Sequence, residues 1–271
     1  MADSKRSGVP FDRACSALED IAPLSLASDW DNVGLLIEPL MRARRVETVL
    51  MTIDLTGEVL DEALNLGADL IVAYHPPIFA GLKRLTQERA RERTLLRAIR
   101  EGVPIWTPHT ALDSVQGGIC DWLAEAFDVE ASEAIEKAPG NEVMGMGRYL
   151  RLARPIRLPS LRRRIAKHIN LPRLRVAASE RHMAGEPIES IALCPGAGAE
   201  VLQQAPADVW LTGEMRHHDL LAATENGTSV LLTEHSNSER GYLPRFAKML
   251  EAALDGEAQV LCSKKDRDPI A

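Results

Sequence analysis

The chain has 271 residues, 45% apolar, 26% charged and 4% aromatic, with a net charge of −7. That size and composition describe a globular protein of about two domains whose core rests on Leu, Ile, Val and Ala. The negative balance argues against a surface built throughout to grip nucleic acid. The four cysteines, Cys15, Cys120, Cys194 and Cys262, are too dispersed for a paired zinc site and suggest no disulfide framework. No stretch reaches the roughly 18 apolar residues of a membrane span. The first residues lack a secretory apolar core. A cytoplasmic protein without membrane attachment is therefore expected.

In chain order, VETVLMTIDL reads as a strand. TGEVLDEALNLG follows at helical spacing, with Thr56 as its cap and Gly67 as its stop. DLIVAYH is a second buried-type strand, followed by a Pro-Pro loop and the charged amphipathic helix TQERARERTLLRAIREG. VPIWTPH is a third strand and GGICDWLAEAF a helix. The rhythm then recurs. SIALCPG, DVWLTGE and TSVLLTEH are strands, separated by the helices GAEVLQQA and HHDLLAATENG. SERGYLPRFAKMLEAAL closes the series as a helix with an internal Pro244, and the terminal SKKDRDPIA reads as a loose tail. Between the two series, GMGRYLRLARPI and LRVAAS look like strands flanking the basic helix SLRRRIAKHI, as an insertion or an edge of the second unit. Alternating strands and helices of these lengths predict two similar α/β units with mixed, mainly parallel sheets. The approximate boundaries are 1–130 and 131–271, with the C-terminal segment able to pack back on the first unit.

In an open parallel sheet, ligands bind outside the carboxyl ends of the strands. His75, His109 and His235, three of the seven histidines, close predicted strands, and Glu214 closes another. Asp113 lies in the loop after His109, and Glu239 follows His235 by four residues. Imidazole and carboxylate together form a ligand set for Zn, Mn, Fe, Co or Ni. Two ions about 3.5–4 Å apart, bridged by a carboxylate, could activate water for hydrolysis. Taken singly, each histidine is more simply a loop hydrogen-bonding residue; taken together, the set favours metal. His217 and His218 are either supporting groups or exposed. Asp29, Asp31 and Asn32 around Trp30 read either as a turn that packs under the site or, more simply, as a turn entering a strand. The glycines of CPGAGAE make either a tight turn or a weak anion loop.

From Arg148 to Arg175 the chain carries ten Lys or Arg and no Asp or Glu. The simpler reading is a solvated face, or one paired with an acidic neighbouring subunit. The functional reading is capture of a phosphate-bearing ligand, with Arg148 as the anion-binding residue. No Gly-x-Ser-x-Gly elbow or P-loop occurs, so metal-assisted hydrolysis is the economical chemistry.

SDWDNVGLLIEP, YHPPIF, PHTALD, the GxGR of Gly145 to Arg148, TGEMRHHD and EHSNSERG occur in one order between residues 28 and 241. In these the chain resembles the NIF-three-like family (NGG-one interacting factor three-like), also called GTP cyclohydrolase 1 type 2 homologs, in its compact form and eukaryotic-type branch. The resemblance implies two α/β domains, a toroidal homohexamer and a dinuclear metal centre. Its motifs place metal ligands at His75, Asp113, His235 and Glu239. Tyr74 stands where many members have a further histidine ligand; a phenol ligates poorly near neutral pH, so the centre holds either two ions or one. His109 is the candidate to orient a ligand or shuttle a proton. Two functions follow. One is a metal-dependent hydrolase of a small nucleotide-like or phosphorylated compound. The other is a non-catalytic scaffold with protein partners linked to transcription and a structural metal; metal storage stands behind both.

Overall fold

The computed structural model describes residues 7–40 and 45–270. The chain forms two compact units, one of Met1–Leu112 with Leu243–Pro269 and one built on Asp113–Tyr242. The division thus falls between Leu112 and Asp113 rather than near 130, and the C-terminal segment belongs to the first unit.

The first unit holds a five-stranded sheet in the order Gln259–Cys262, Thr48–Thr52, Leu70–Ala73, Ile105–Thr107 and Gly34–Ile37. The first four strands run parallel, and Gly34–Ile37 is antiparallel to its neighbour. All four residues of Leu70–Ala73 are buried. This is why its sequence is an unbroken apolar run rather than an alternating one. The helix Gly57–Asn65 starts where the Thr56 side chain accepts the Val59 N–H at 3.3 Å. It ends at Gly67, whose φ of +64° is the left-handed turn that glycine adopts without strain. Its buried face, Val59, Leu60 and Ala63, packs with Leu50, Ile71, Leu95 and Ala98. Truncating a side chain such as Leu60 in that cluster costs about 2–5 kcal/mol.

The second unit holds a six-stranded sheet in the order Arg175–Ala177, Ser229–Leu232, Val209–Thr212, Ile188–Leu193, Arg148–Ile156 and Val129–Glu133. Only the two pairings among its three central apolar strands are parallel; the other three are antiparallel. The expectation of mainly parallel pairing therefore holds for the first unit and fails for the second. The cause is visible in Arg148–Ile156, where Arg148, Leu150 and Leu152 are buried and Arg151 is exposed. Such one-faced alternation is the pattern of an antiparallel strand with water on one side.

The helix Leu158–His168 buries Leu158, Leu161 and Ile165 and leaves Arg162, Arg163, Arg164 and Lys167 exposed. Two local expectations change. Pro244 lies in the first turn of the helix Leu243–Ala253, where the missing N–H costs no bond, after a separate 3-10 turn at Arg240–Tyr242. The terminal segment is tied down: Ser263 Oγ and the Lys264 N–H donate to Glu62, and Asp266 Oδ2 accepts the Ile53 N–H at 2.7 Å. Among the described residues no helix is long and apolar enough to cross a membrane.

Candidate metal centre

In the first unit the chemistry gathers where the parallel strands end. The Tyr74 N–H donates to Thr52 O and the His75 N–H to Ile53 O, which extends the pairing past the formal strand ends and sets Asp54 opposite His75. His75 Nδ1 then donates to Asp54 Oδ1 at 2.9 Å. On the next strand, His109 Nδ1 donates to Asp31 Oδ1 at 2.7 Å. The Asp31 side chain is fully buried, and its Oδ2 accepts from the N–H and hydroxyl of Thr110. Burial works to raise the Asp31 pKa, but the hydrogen bond and charge of His109, with the Thr110 and Asn32 donors, hold it below the usual carboxylate range. Tyr74 is buried, and the rings of Tyr74, His75 and His109 form a triangle with centroid separations of 5.0, 5.5 and 5.5 Å.

The second unit repeats the device. His235 Nδ1 donates to Glu214 Oε1 at 2.8 Å. Asp54 to His75 and Glu214 to His235 are both 21 residues apart, one strand–helix–strand step in each case. The registers differ by one, however: Thr52 pairs with Ala73, but Thr212 pairs with Leu232. Continued as a regular strand, the second unit would put Glu234, not His235, opposite Glu214. Glu234 has a φ of +65°, which breaks the alternation of side chains at that point. Arg175 holds the kink by gripping the Glu234 carboxylate with two donors at 2.6 and 2.9 Å. His109 too has positive φ, +34°, and strained backbone of this kind collects at functional sites.

A histidine whose Nδ1 proton is fixed on a carboxylate presents its lone pair at Nε2, the arrangement that orients imidazole toward a metal. His235 Nε2 lies 3.6 Å from Oε1 of the buried Glu239, too long for a hydrogen bond. Two ligand atoms about 2.1 Å from one tetrahedral ion stand about 3.4 Å apart, close to the spacing seen. Gly196 borders the same space. A Cβ built there would fall 2.9 Å from Glu239 Oε1 and 3.1 Å from His235 Nε2. Its N–H donates to Ser238 Oγ at 2.8 Å and its carbonyl accepts the Glu214 N–H at 3.0 Å, so the backbone lies fixed against the ligand pair. His75 in the first unit, and His235 and Glu239 in the second, carry donor atoms of the kind that hold a divalent ion, and the spacing of His235 and Glu239 within the second unit fits a metal.

Asp113 is buried in the helix His109–Ser114, and with Glu239 it contributes to the field felt by the Cys194 thiol. His217 and His218 stand exposed at the start of the helix His217–Glu225. Arg148, expected to receive an anion, is buried and donates to Asp121 and to the carbonyls of Gly145 and Gly147. Burial raises all four thiols, Cys15 to about 11 and Cys120 to about 12, which favours their protonated form. Asp54 carries no mark as a site residue in the sequence pattern beyond being an acid at the carboxyl end of the apolar run VLMTID, and for Asp31 the structure favours the turn packed under the site over the plain turn.

The fold and these strand-end histidines define a two-unit α/β protein with a metal-type donor set. The chain belongs to the Duf34/NIF3 (NGG1p interacting factor 3) family, whose model matches residues 10–269. It is 40% identical to NIF3-like protein 1 of Drosophila melanogaster, covering 97% of this chain and 89% of that one. It is 33% identical to NIF3-like protein 1 of Homo sapiens, covering 100% and 94%. Among solved structures, the Bacillus cereus protein related to NIF3 has a TM-score of 0.85 at 20% identity, with 97% and 98% of the two chains covered. Reduced HcgD from Methanocaldococcus jannaschii has a TM-score of 0.81 at 21% identity, with 95% and 98% covered. At those identities the structures establish the fold.

Proposed function

We propose that this protein binds divalent metal through His75, Asp113, His235 and Glu239, as two ions or as one, and uses it to hydrolyse a small nucleotide-like or phosphorylated compound. The observation that carries the reading is that strand-end histidines have their Nδ1 protons fixed by carboxylates, together with the 3.6 Å spacing of His235 Nε2 and Glu239 Oε1. When bound, the metal supplies a Lewis acid that activates water and stabilises a leaving oxygen. Asp54 and Glu214 keep His75 and His235 in the ligating tautomer. His109, held the same way by Asp31, takes or returns a proton at Nε2 beside the reacting group. Tyr74, buried against both His75 and His109, limits water around them. In the same proposal the working form is a cytoplasmic homohexamer, and the ligand is anionic.

Elemental mass spectrometry of protein purified without affinity metal tests the reading, alongside His75→Ala and His235→Ala proteins. One to two ions per chain, lost in the variants, is the expected result. A wild-type chain that takes up no metal even when it is offered back would overturn the reading and leave a metal-free scaffold in its place.

A further inference from the structure

We infer that Trp30 and Phe79 form a platform that receives a flat heteroaromatic ring, of nucleobase type, beside His109. The inference takes its site from the hydrolase reading above, but the ring contact stands on its own observations. The chain has only four Trp, three Tyr and four Phe, so an exposed aromatic side chain is a scarce group placed in water. Trp30 is 61% exposed and Phe79 47%; among the described residues every other exposed large hydrophobic is aliphatic or Met. The two lie together, with ring centroids 5.9 Å apart and planes at 55°. This is an open angle rather than a closed stack, and both residues stay about half exposed or more. Both also lie against the same histidine, at 6.1 and 6.2 Å from the His109 ring, which meets each edge-on.

The backbone beside each ring is tied down. Trp30 precedes Asp31, whose carboxylate is clamped by His109, Thr110 and the Asn32 N–H. Phe79 follows Ile78, whose carbonyl accepts from the Asn32 side chain, so one residue ties the two loops together. Aromatic side chains, with few rotatable bonds and a tied-down backbone beside them, lose little entropy on binding a ring. Stacking surface with a part-exposed imidazole at its side suits a planar base, which offers a π-face to the aromatics and hydrogen-bonding atoms along its edge. An isolated sugar phosphate offers no π-face to such a surface.

Two probes that differ only in the ring test this: AMP and ribose 5-phosphate, titrated into the full chain and followed by calorimetry and tryptophan fluorescence. Each titration is run with zinc and again with chelator. AMP is expected to bind at least about ten-fold more tightly than ribose 5-phosphate, and to quench Trp30. Trp30→Leu removes that advantage and the quenching, and Phe79→Leu reduces it; circular dichroism confirms that both variants are folded. Equal binding of the two probes overturns the inference, as does an AMP preference that survives in Trp30→Leu. Self-association that Trp30→Leu abolishes, without any AMP preference, also overturns it by making the platform a contact between copies. The metal reading fails separately. A Trp30-dependent AMP preference in a chain that takes up no zinc would sink the metal and keep the ring, while zinc-dependent but equal binding of both probes would do the reverse.

Discussion

Replacing Gly196 by Ala tests the second unit's ligand pair without replacing either ligand. The backbone there has a φ of +60°, a region where an L side chain costs about 1–2 kcal/mol. The added Cβ would lie 2.9 Å from Glu239 Oε1, 3.1 Å from His235 Nε2 and 3.3 Å from His235 Cε1. Ordinary contacts settle near about 3.5–4.0 Å, so the imidazole or the carboxylate must yield by several tenths of an ångström. Metal ligation tolerates only about 0.2 Å of error in each distance. Metal affinity should therefore fall more than about ten-fold, while the metal-free protein loses the backbone cost, roughly 2–8 °C in Tm, together with the cost of shifting the His235 or Glu239 side chain. Gly67→Ala is the matched control: its φ is +64° and a Cβ there meets nothing within 4 Å. Thermal unfolding in chelator measures the backbone cost in Gly67→Ala and that cost plus the steric clash in Gly196→Ala, and competition against a chromophoric chelator measures metal affinity. If Gly196→Ala binds metal as tightly as Gly67→Ala, the space between His235 and Glu239 is not where the ion sits.

Three further outcomes are expected. Asp54→Asn and Glu214→Gln should each weaken metal binding about 10–100-fold with the fold intact, because the histidine loses the anion that orients it; unchanged chelator competition in both would remove the orienting role. Arg148→Ala should destabilise by about 3 kcal/mol in urea unfolding, since Asp121 and two carbonyls lose a buried donor; an unchanged midpoint would reopen an anion-binding role for it. His182 is buried, with Nδ1 3.0 Å from Ser179 Oγ and 2.8 Å from Ser229 Oγ. Burial, helped by Arg181, lowers its pKa. The unfolded histidine then binds a proton that the folded one refuses. This contribution to stability is complete above the ordinary histidine pKa of about 6.5 and declines as pH falls below it. His182→Gln should flatten the fall in urea midpoint between pH 7 and pH 5, and an unaltered slope would assign that fall elsewhere.

Much of this was legible in the sequence. The runs DLIVAYH, VPIWTPH and TSVLLTEH carry their strand ends, and so their histidines, in the pattern itself, because a strand buried on both faces must stop where polar residues begin. The cap at Thr56 and the stop at Gly67 were equally local. What was hidden is non-local. The pairing of Asp31 with His109 joins residues 78 apart through a loop whose composition says only that it turns. The antiparallel edge of the second sheet depends on which neighbour RYLRLARPI finds, and a strand does not name its partner. Arg148 announced itself as a positive charge, yet its burial against Asp121 follows from the packing of Ile119–Ala124 near its strand, which charge counting does not register.

The 21-residue spacing shared by Asp54 with His75 and by Glu214 with His235 has an architectural consequence. Each pair meets because two neighbouring strands lie in fixed register, and the helix between them only returns the chain to the sheet. The length and surface of that crossover are thus free to drift so long as the strand ends stay in step. Each acid–histidine couple is a portable unit, transferable to another parallel sheet by copying four or five residues at the ends of two adjacent strands. The first unit's couple needs only regular pairing. The second needs its one-residue kink and the arginine clamp that maintains it, so a graft of that couple must carry three strands rather than two.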